Sequence, residues 1–180
     1  GEELEAIVDS IVNDHDYTDR KRKSLRIGVD VLPAIPKDTT DRNRTSPVAF
    51  TGNKFEFRSL GSSQSIAGPN TILNTIMAEE LEQFAEELEG VKDFSSALHE
   101  LIKRVFTEHQ RILFSGNGYD ESWIAEAERR GLANLHNTAE ALPAYILPKN
   151  IQLMTSHGVY SEAEMMARHE IHMEKYCKVI

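Results

Sequence analysis

Strand-like alternation in the first third of the chain and helical spacing after it predict an α+β protein, with a few antiparallel strands followed by a mainly α-helical region. Residues 53–58, Asn-Lys-Phe-Glu-Phe-Arg, are the clearest strand: on an extended backbone Phe55 and Phe57 share one face while Lys54, Glu56 and Arg58 share the other. Residues 25–31 alternate in the same way. From residue 70 the period changes, because Ile72, Leu73, Ile76, Met77, Leu81, Phe84 and Leu88 recur at helical intervals. The change falls in the small-residue stretch 61–69, which divides the chain into a strand-bearing segment 1–69 and a helical segment 70–180.

Each element follows from local chemistry. Leu4, Ile7, Val8, Ile11 and Val12 make one apolar stripe and predict a short amphipathic helix over 2–12. Charged, turn-rich residues 13–24 form a loop, the strand at 25–31 follows, and Pro33 and Pro36 end it. The polar run 37–44 is a loop that lifts Arg44 toward a pocket, ahead of strands at 48–50 and 54–60. Gly90 stops the helix that opens at residue 70, and a second helix over 93–113 is expected to pair with it as a hairpin. A third helix covers 121–130 with Trp123 and Ile124 inward, and a short fourth covers 137–142 with Asn137 and Glu140 at capping-box spacing. Pro143 and Pro148 bracket an irregular stretch, after which Ser161 and Glu164 open a last helix running through Tyr176.

The formal net charge of −9 disfavours nonspecific binding to nucleic acid or to an anionic membrane, although it leaves room for a local anion site. No apolar run approaches the roughly 20 residues needed to cross a bilayer, and the amino terminus has no basic-then-apolar leader, so a cytoplasmic protein is expected. The single cysteine, Cys177, excludes an internal disulfide and a multi-thiolate zinc site and is expected to be a small buried apolar residue.

The charged face of the 54–58 strand has two readings on chemistry alone. Lys54, Glu56 and Arg58 suit an ordinary solvated ladder; with Arg42 and Arg44 ahead of them they also suit a polyanion plus a metal ion. Longer words decide between the two. Asn43-Arg44-Thr45-Ser46-Pro47 and Asn53-Lys54-Phe55-Glu56-Phe57-Arg58, followed by Gly61-Ser62-Ser63 and Gly68-Pro69-Asn70, resemble the type III branch of the glutamine synthetases. The resemblance continues through Phe114-Ser115-Gly116-Asn117-Gly118-Tyr119, Arg129-Arg130-Gly131-Leu132-Ala133-Asn134-Leu135 and Ser156-His157-Gly158-Val159-Tyr160-Ser161, and so over nearly the whole chain.

That resemblance implies that the strands come from the end of the family's catalytic barrel. It makes Glu56 a ligand to Mg2+ or Mn2+ and Arg58 the contact to substrate glutamate. Arg44 becomes the catalytic arginine facing the nucleotide phosphates, with Lys54 a further nucleotide-binding cation. The implied reaction is glutamine formation from ATP, glutamate and ammonia through a γ-glutamyl phosphate, carried out by a homo-oligomer that shares active sites between neighbours. One departure is visible: the type I branch carries another arginine five residues beyond the Asn-Arg arginine, and here that position is Ala49. Because the chain starts at Gly1 and stops at Ile180 inside a helical pattern, the expectation is a carboxy-terminal piece of a longer subunit, itself inactive.

Other motifs carry less. His169 and His172 lie three apart beside Glu170 and Glu174 but have no third ligand, and they are read as solvent-facing. Gly116-Asn117-Gly118 lacks the third glycine of a dinucleotide fingerprint, and Gly52-Asn53-Lys54 lacks P-loop spacing, so both are turns. The terminal Cys177-Lys178-Val179-Ile180 is a poor prenylation tail. Met165-Met166 is read as core filler and the acidic run 79–89 as the wet face of a helix. The alternative to a ligase fragment is a noncatalytic helical module for oligomerisation or regulation, or a catalytically retired homologue.

Overall fold

Helix dominates this chain. The computed structural model describes residues 2–17, 24–25, 35–36, 48–50, 55–58, 61, 63–114 and 117–179. Its helices are α1 (Glu2–Asn13), α2 (Ala67–Leu88), α3 (Phe94–Glu108), α4 (Glu121–Arg129), α5 (Thr138–Ala141), α6 (Pro148–Ser156) and α7 (Glu162–Val179). Two 3-10 turns, Gln110–Ile112 and Leu142–Ile146, complete the helical set.

The expected α+β class is overturned. Strand among the described residues is limited to two separate antiparallel ladders: β1 (Ser24–Leu25) with β2 (Ile35–Pro36), and β3 (Val48–Phe50) with β4 (Phe55–Phe57). Strands of two and three residues fall short of the usual five or six, and two-stranded ladders of this length form no layer with a hydrophobic face of its own. Alternation marked extended backbone locally; it carried no information about how many neighbours that backbone would pair with. The fold is therefore mainly helical.

Two compact units divide the chain: residues 1–60 with 95–132, and residues 61–94 with 133–180. In the first unit Asp14, just past the end of α1, forms ion pairs with Lys103 and, at 3.9 Å, with His99, both on α3. Leu101 and Ala127, 4% and 7% exposed, are its buried apolar side chains among the described residues. Asp120 caps α4 by accepting the Ser122 N–H at 2.9 Å, satisfying one of the donors that a helix start leaves free. Trp123 is half-buried as expected, whereas Ile124 is exposed, because the covered side of so short a helix is only one stripe wide.

In the second unit the 3-10 turn Leu142–Ile146 is the hub, touched by α5, α6 and α7, while α2 packs on α6. Leu142, Met154 and Met165 are its buried apolar side chains among the described residues. Both prolines that seemed to mark an irregular stretch instead start helical turns, Pro143 the 3-10 turn and Pro148 helix α6. A first-turn proline loses nothing, since its missing N–H would have had no partner there. The same rule lets α2 begin at Ala67, with Pro69 inside its first turn and not in a linker. The Asn137–Glu140 cap forms, with Asn137 Oδ1 accepting the Glu140 N–H at 3.0 Å. The Ser161–Glu164 box closes in both directions, at 3.3 Å and 2.8 Å.

Three burial expectations change. On α2 the expected stripe is covered only in part: Ile72, Leu73, Phe84 and Leu88 are half-buried, Thr75 and Glu79 share the cover, and Ile76, Met77 and Leu81 are exposed; Thr75 is accommodated because its hydroxyl donates to the Thr71 carbonyl at 2.8 Å. Met166 is exposed although Met165 is buried. Cys177 is exposed too, lying in the last turn of α7. The expected hairpin partners α2 and α3 are assigned to different units.

Candidate functional site

The four residues singled out by sequence fall where the structure says least about side chains. Arg44 and Lys54 lie outside the described residues. Glu56 is the middle residue of β4, in register with Ala49 of β3, so the position at which the type I branch carries arginine lies directly across from the candidate metal ligand. Arg58 follows β4 and is exposed. By residue type alone, a carboxylate suits Mg2+, which is held through one or two carboxylates plus substrate phosphates, and guanidinium and ammonium groups suit phosphate.

A second cluster was missed by sequence reading. His157 is the C-cap residue of α6 and sits with its side chain 18% exposed. Its Nε2 is 2.7 Å from Glu79 Oε2 and 4.0 Å from Glu82 Oε2, both on α2. The other oxygen of Glu79, Oε1, accepts a hydrogen bond from Gln83 Nε2 at 2.8 Å. The hydrogen bond from His157, followed by that from Gln83, holds the Glu79 carboxyl below its ordinary range. Gly158 (φ +62°) allows the chain to leave α6 in the left-handed conformation, with the Val159 N–H returning to the Met154 carbonyl at 3.0 Å. The turn therefore fixes His157 against α2. Glu79 and Glu82 stand three apart on one helix, a spacing legible in sequence; His157 is 78 residues from Glu79, and nothing local in the sequence joins them.

An open cleft of about 370 Å³ in the first unit is lined by Phe114, Trp123, Glu126 and Arg130 among others. Phe114 and Trp123 stack with centroids 3.7 Å apart, and the Arg130 guanidinium lies 5.3 Å from the Trp123 ring. Arg130 Nη1 donates to the Leu113 carbonyl at 2.9 Å and Nε to Glu126 Oε1 at 2.5 Å. Hydrogen bonds from Arg129 and then Arg130 bring the Glu126 carboxyl from its ordinary 4.5 down to about 2. Arg129 and Arg130 are both tied to Glu126, and Arg130 also to the Leu113 carbonyl, so the cluster reads as a clasp between Leu113 and α4. His169 and His172 join no such cluster: His169 is half-buried and His172 tilts against the Tyr145 ring at 5.4 Å.

Residues 97–180 match the glutamine synthetase C-terminal domain family. The whole chain aligns with the type-3 glutamine synthetase of Dictyostelium discoideum at 44% identity, and 98% of it aligns with a glutamine synthetase of Bacteroides fragilis (strain YCH46) at 37%. A glutamine synthetase of Butyrivibrio fibrisolvens is 39% identical over 80% of the chain. The chain spans about a quarter of the length of these relatives (25%, 25% and 21%). The type III resemblance carried by the short words is thus found again over the full alignment.

Proposed function

Taking as premise that residues 97–180 belong to the glutamine synthetase C-terminal domain family, we propose that the chain is the carboxy-terminal portion of an ATP-dependent glutamate–ammonia ligase. The observation that carries this reading is similarity along the entire chain to a type-3 glutamine synthetase. In the reaction, a side-chain carboxylate oxygen of glutamate attacks the terminal phosphorus of ATP, the bond to ADP breaks, and ammonia then displaces phosphate from the acyl carbon with loss of a proton.

Within that scheme Glu56 holds a divalent cation, Mg2+ or Mn2+, which when bound supplies positive charge between two anionic reactants. Arg58 forks onto the substrate glutamate. Arg44 faces the phosphates and takes up charge developing on the phosphoryl group in flight, and Lys54 adds a second cation toward the nucleotide. The chain spans about a quarter of the length of its relatives, and on this reading glutamine is made by the full-length protein, acting in the cytoplasm as a homo-oligomer.

The test is ADP release by the full-length enzyme with glutamate, ammonia and Mg2+. Glu56→Ala is expected to lower turnover by roughly a hundredfold or more, since Lewis-acid stabilisation is worth several kcal/mol. Full activity in that variant removes Glu56 from the site.

A second reading, that the helical part serves subunit packing, is favoured by the exposed Ile76, Met77 and Leu81 on α2. Leu81→Glu in the full-length protein, followed by light scattering, tests it: an unchanged mass removes this face from any interface.

A further inference from the structure

We propose that Glu79, Glu82 and His157 form a divalent transition-metal site of the zinc type, clipping α2 to the end of α6. Their ligand atoms, one nitrogen and two carboxylate oxygens, lie within 4.8 Å of one another. A tetrahedral zinc centre with bonds of about 2.1 Å sets its ligand atoms roughly 3.4 Å apart. The two distances measured from His157 Nε2, 2.7 Å and 4.0 Å, fall on either side of that value. Small rotamer changes in two carboxylates that are 35% and 63% exposed would equalise them, with the metal taking the place of the hydrogen between His157 and Glu79.

Three further features favour a metal over a simple ion pair. The donor set mixes imidazole with carboxylate, which suits zinc and its neighbours in the transition series better than Mg2+ or Ca2+. The Glu79 carboxylate is oriented by Gln83, the kind of outer hydrogen bond that metal ligands carry. His157 sits at the C-terminal end of α6, where the helix dipole favours positive charge. Three protein ligands leave the fourth position for water. The ion would act as a staple within the second unit, joining elements 78 residues apart in the chain.

The experiment is titration of the full chain with Zn2+ alone, by calorimetry, and with Co2+, by visible absorption. One equivalent should bind, Co2+ should give the strong visible bands of a four-coordinate site, and zinc at hundredfold excess over its Kd should raise Tm by roughly 5–10 °C. Glu82→Gln is the informative variant, because it leaves the His157–Glu79 hydrogen bond in place while removing one ligand; affinity should fall at least about tenfold with the circular dichroism unchanged. His157→Ala should abolish the bands. Zinc binding that is absent from the wild type, or that persists unweakened in Glu82→Gln, overturns the site and leaves an ion pair in its place.

Discussion

Leu142→Ala tests whether the 3-10 turn Leu142–Ile146 is the hub of the second unit. Leu142 is 6% exposed, at the point where α5, α6 and α7 all meet the turn. The substitution removes three buried carbons, worth about 0.8 kcal/mol each in transfer, or roughly 2.4 kcal/mol together. A cavity term adds to this, but the surrounding shell is mostly half-buried and can partly relax, so the total is set at about 3 kcal/mol, in the lower half of the usual range. For a chain of this size that is a fall in Tm of about 6–12 °C. Ile171→Ala on α7 is the control: Ile171 is 50% exposed, the same type of truncation costs it little burial, and alanine is the better helix former. Urea unfolding followed by far-UV circular dichroism would compare the two. Equal losses in both variants would refute the assignment of Leu142 to the core, and with it the role of the 3-10 turn.

Acid should act on the clasp at Glu126. Its carboxyl is lowered from 4.5 to about 2 by Arg129 and Arg130, so the stability it contributes is fully present above pH 4.5 and is lost as pH falls from 4.5 toward 2. Trp123, the only tryptophan, lies beneath Arg130 and should report the change in its fluorescence; a Glu126→Gln variant that keeps the same acid transition would count against the clasp. Ser161→Ala removes the hydroxyl that accepts the Glu164 N–H and should destabilise the chain by about 1 kcal/mol, readable as a lower urea midpoint with an unchanged slope. On the proposed ligase reading, Arg58→Ala in the full-length protein should raise the KM for glutamate roughly ten- to hundredfold, the cost of a charge-assisted hydrogen bond, and an unchanged KM would separate Arg58 from the substrate.

How much of this was legible beforehand depended on how far apart the deciding residues lay. The caps at Asn137 and Ser161 were readable because their partners stand three positions away on the same helix. The candidate ligase residues Arg44, Lys54, Glu56 and Arg58 were readable only through resemblance, since a solvated ladder has the same alternation. Pro143 and Pro148 misled because a proline reads as a breaker until one asks whether it falls in a first turn.

The sequence by itself carried the resemblance to type III glutamine synthetases, through long specific words, and the helical periodicity of the region from residue 70 onward. Only the tertiary structure decided how much of the α2 stripe is covered: Ile72, Leu73, Glu79, Phe84 and Leu88 are half-buried and Thr75 is buried, while Ile76, Met77 and Leu81 are exposed. Periodicity identifies a stripe, but the packing partners select which of its residues are covered. It likewise took the packing of α2 on α6 to bring His157 against Glu79, because a contact across 78 residues depends on chain topology and leaves no local pattern to read.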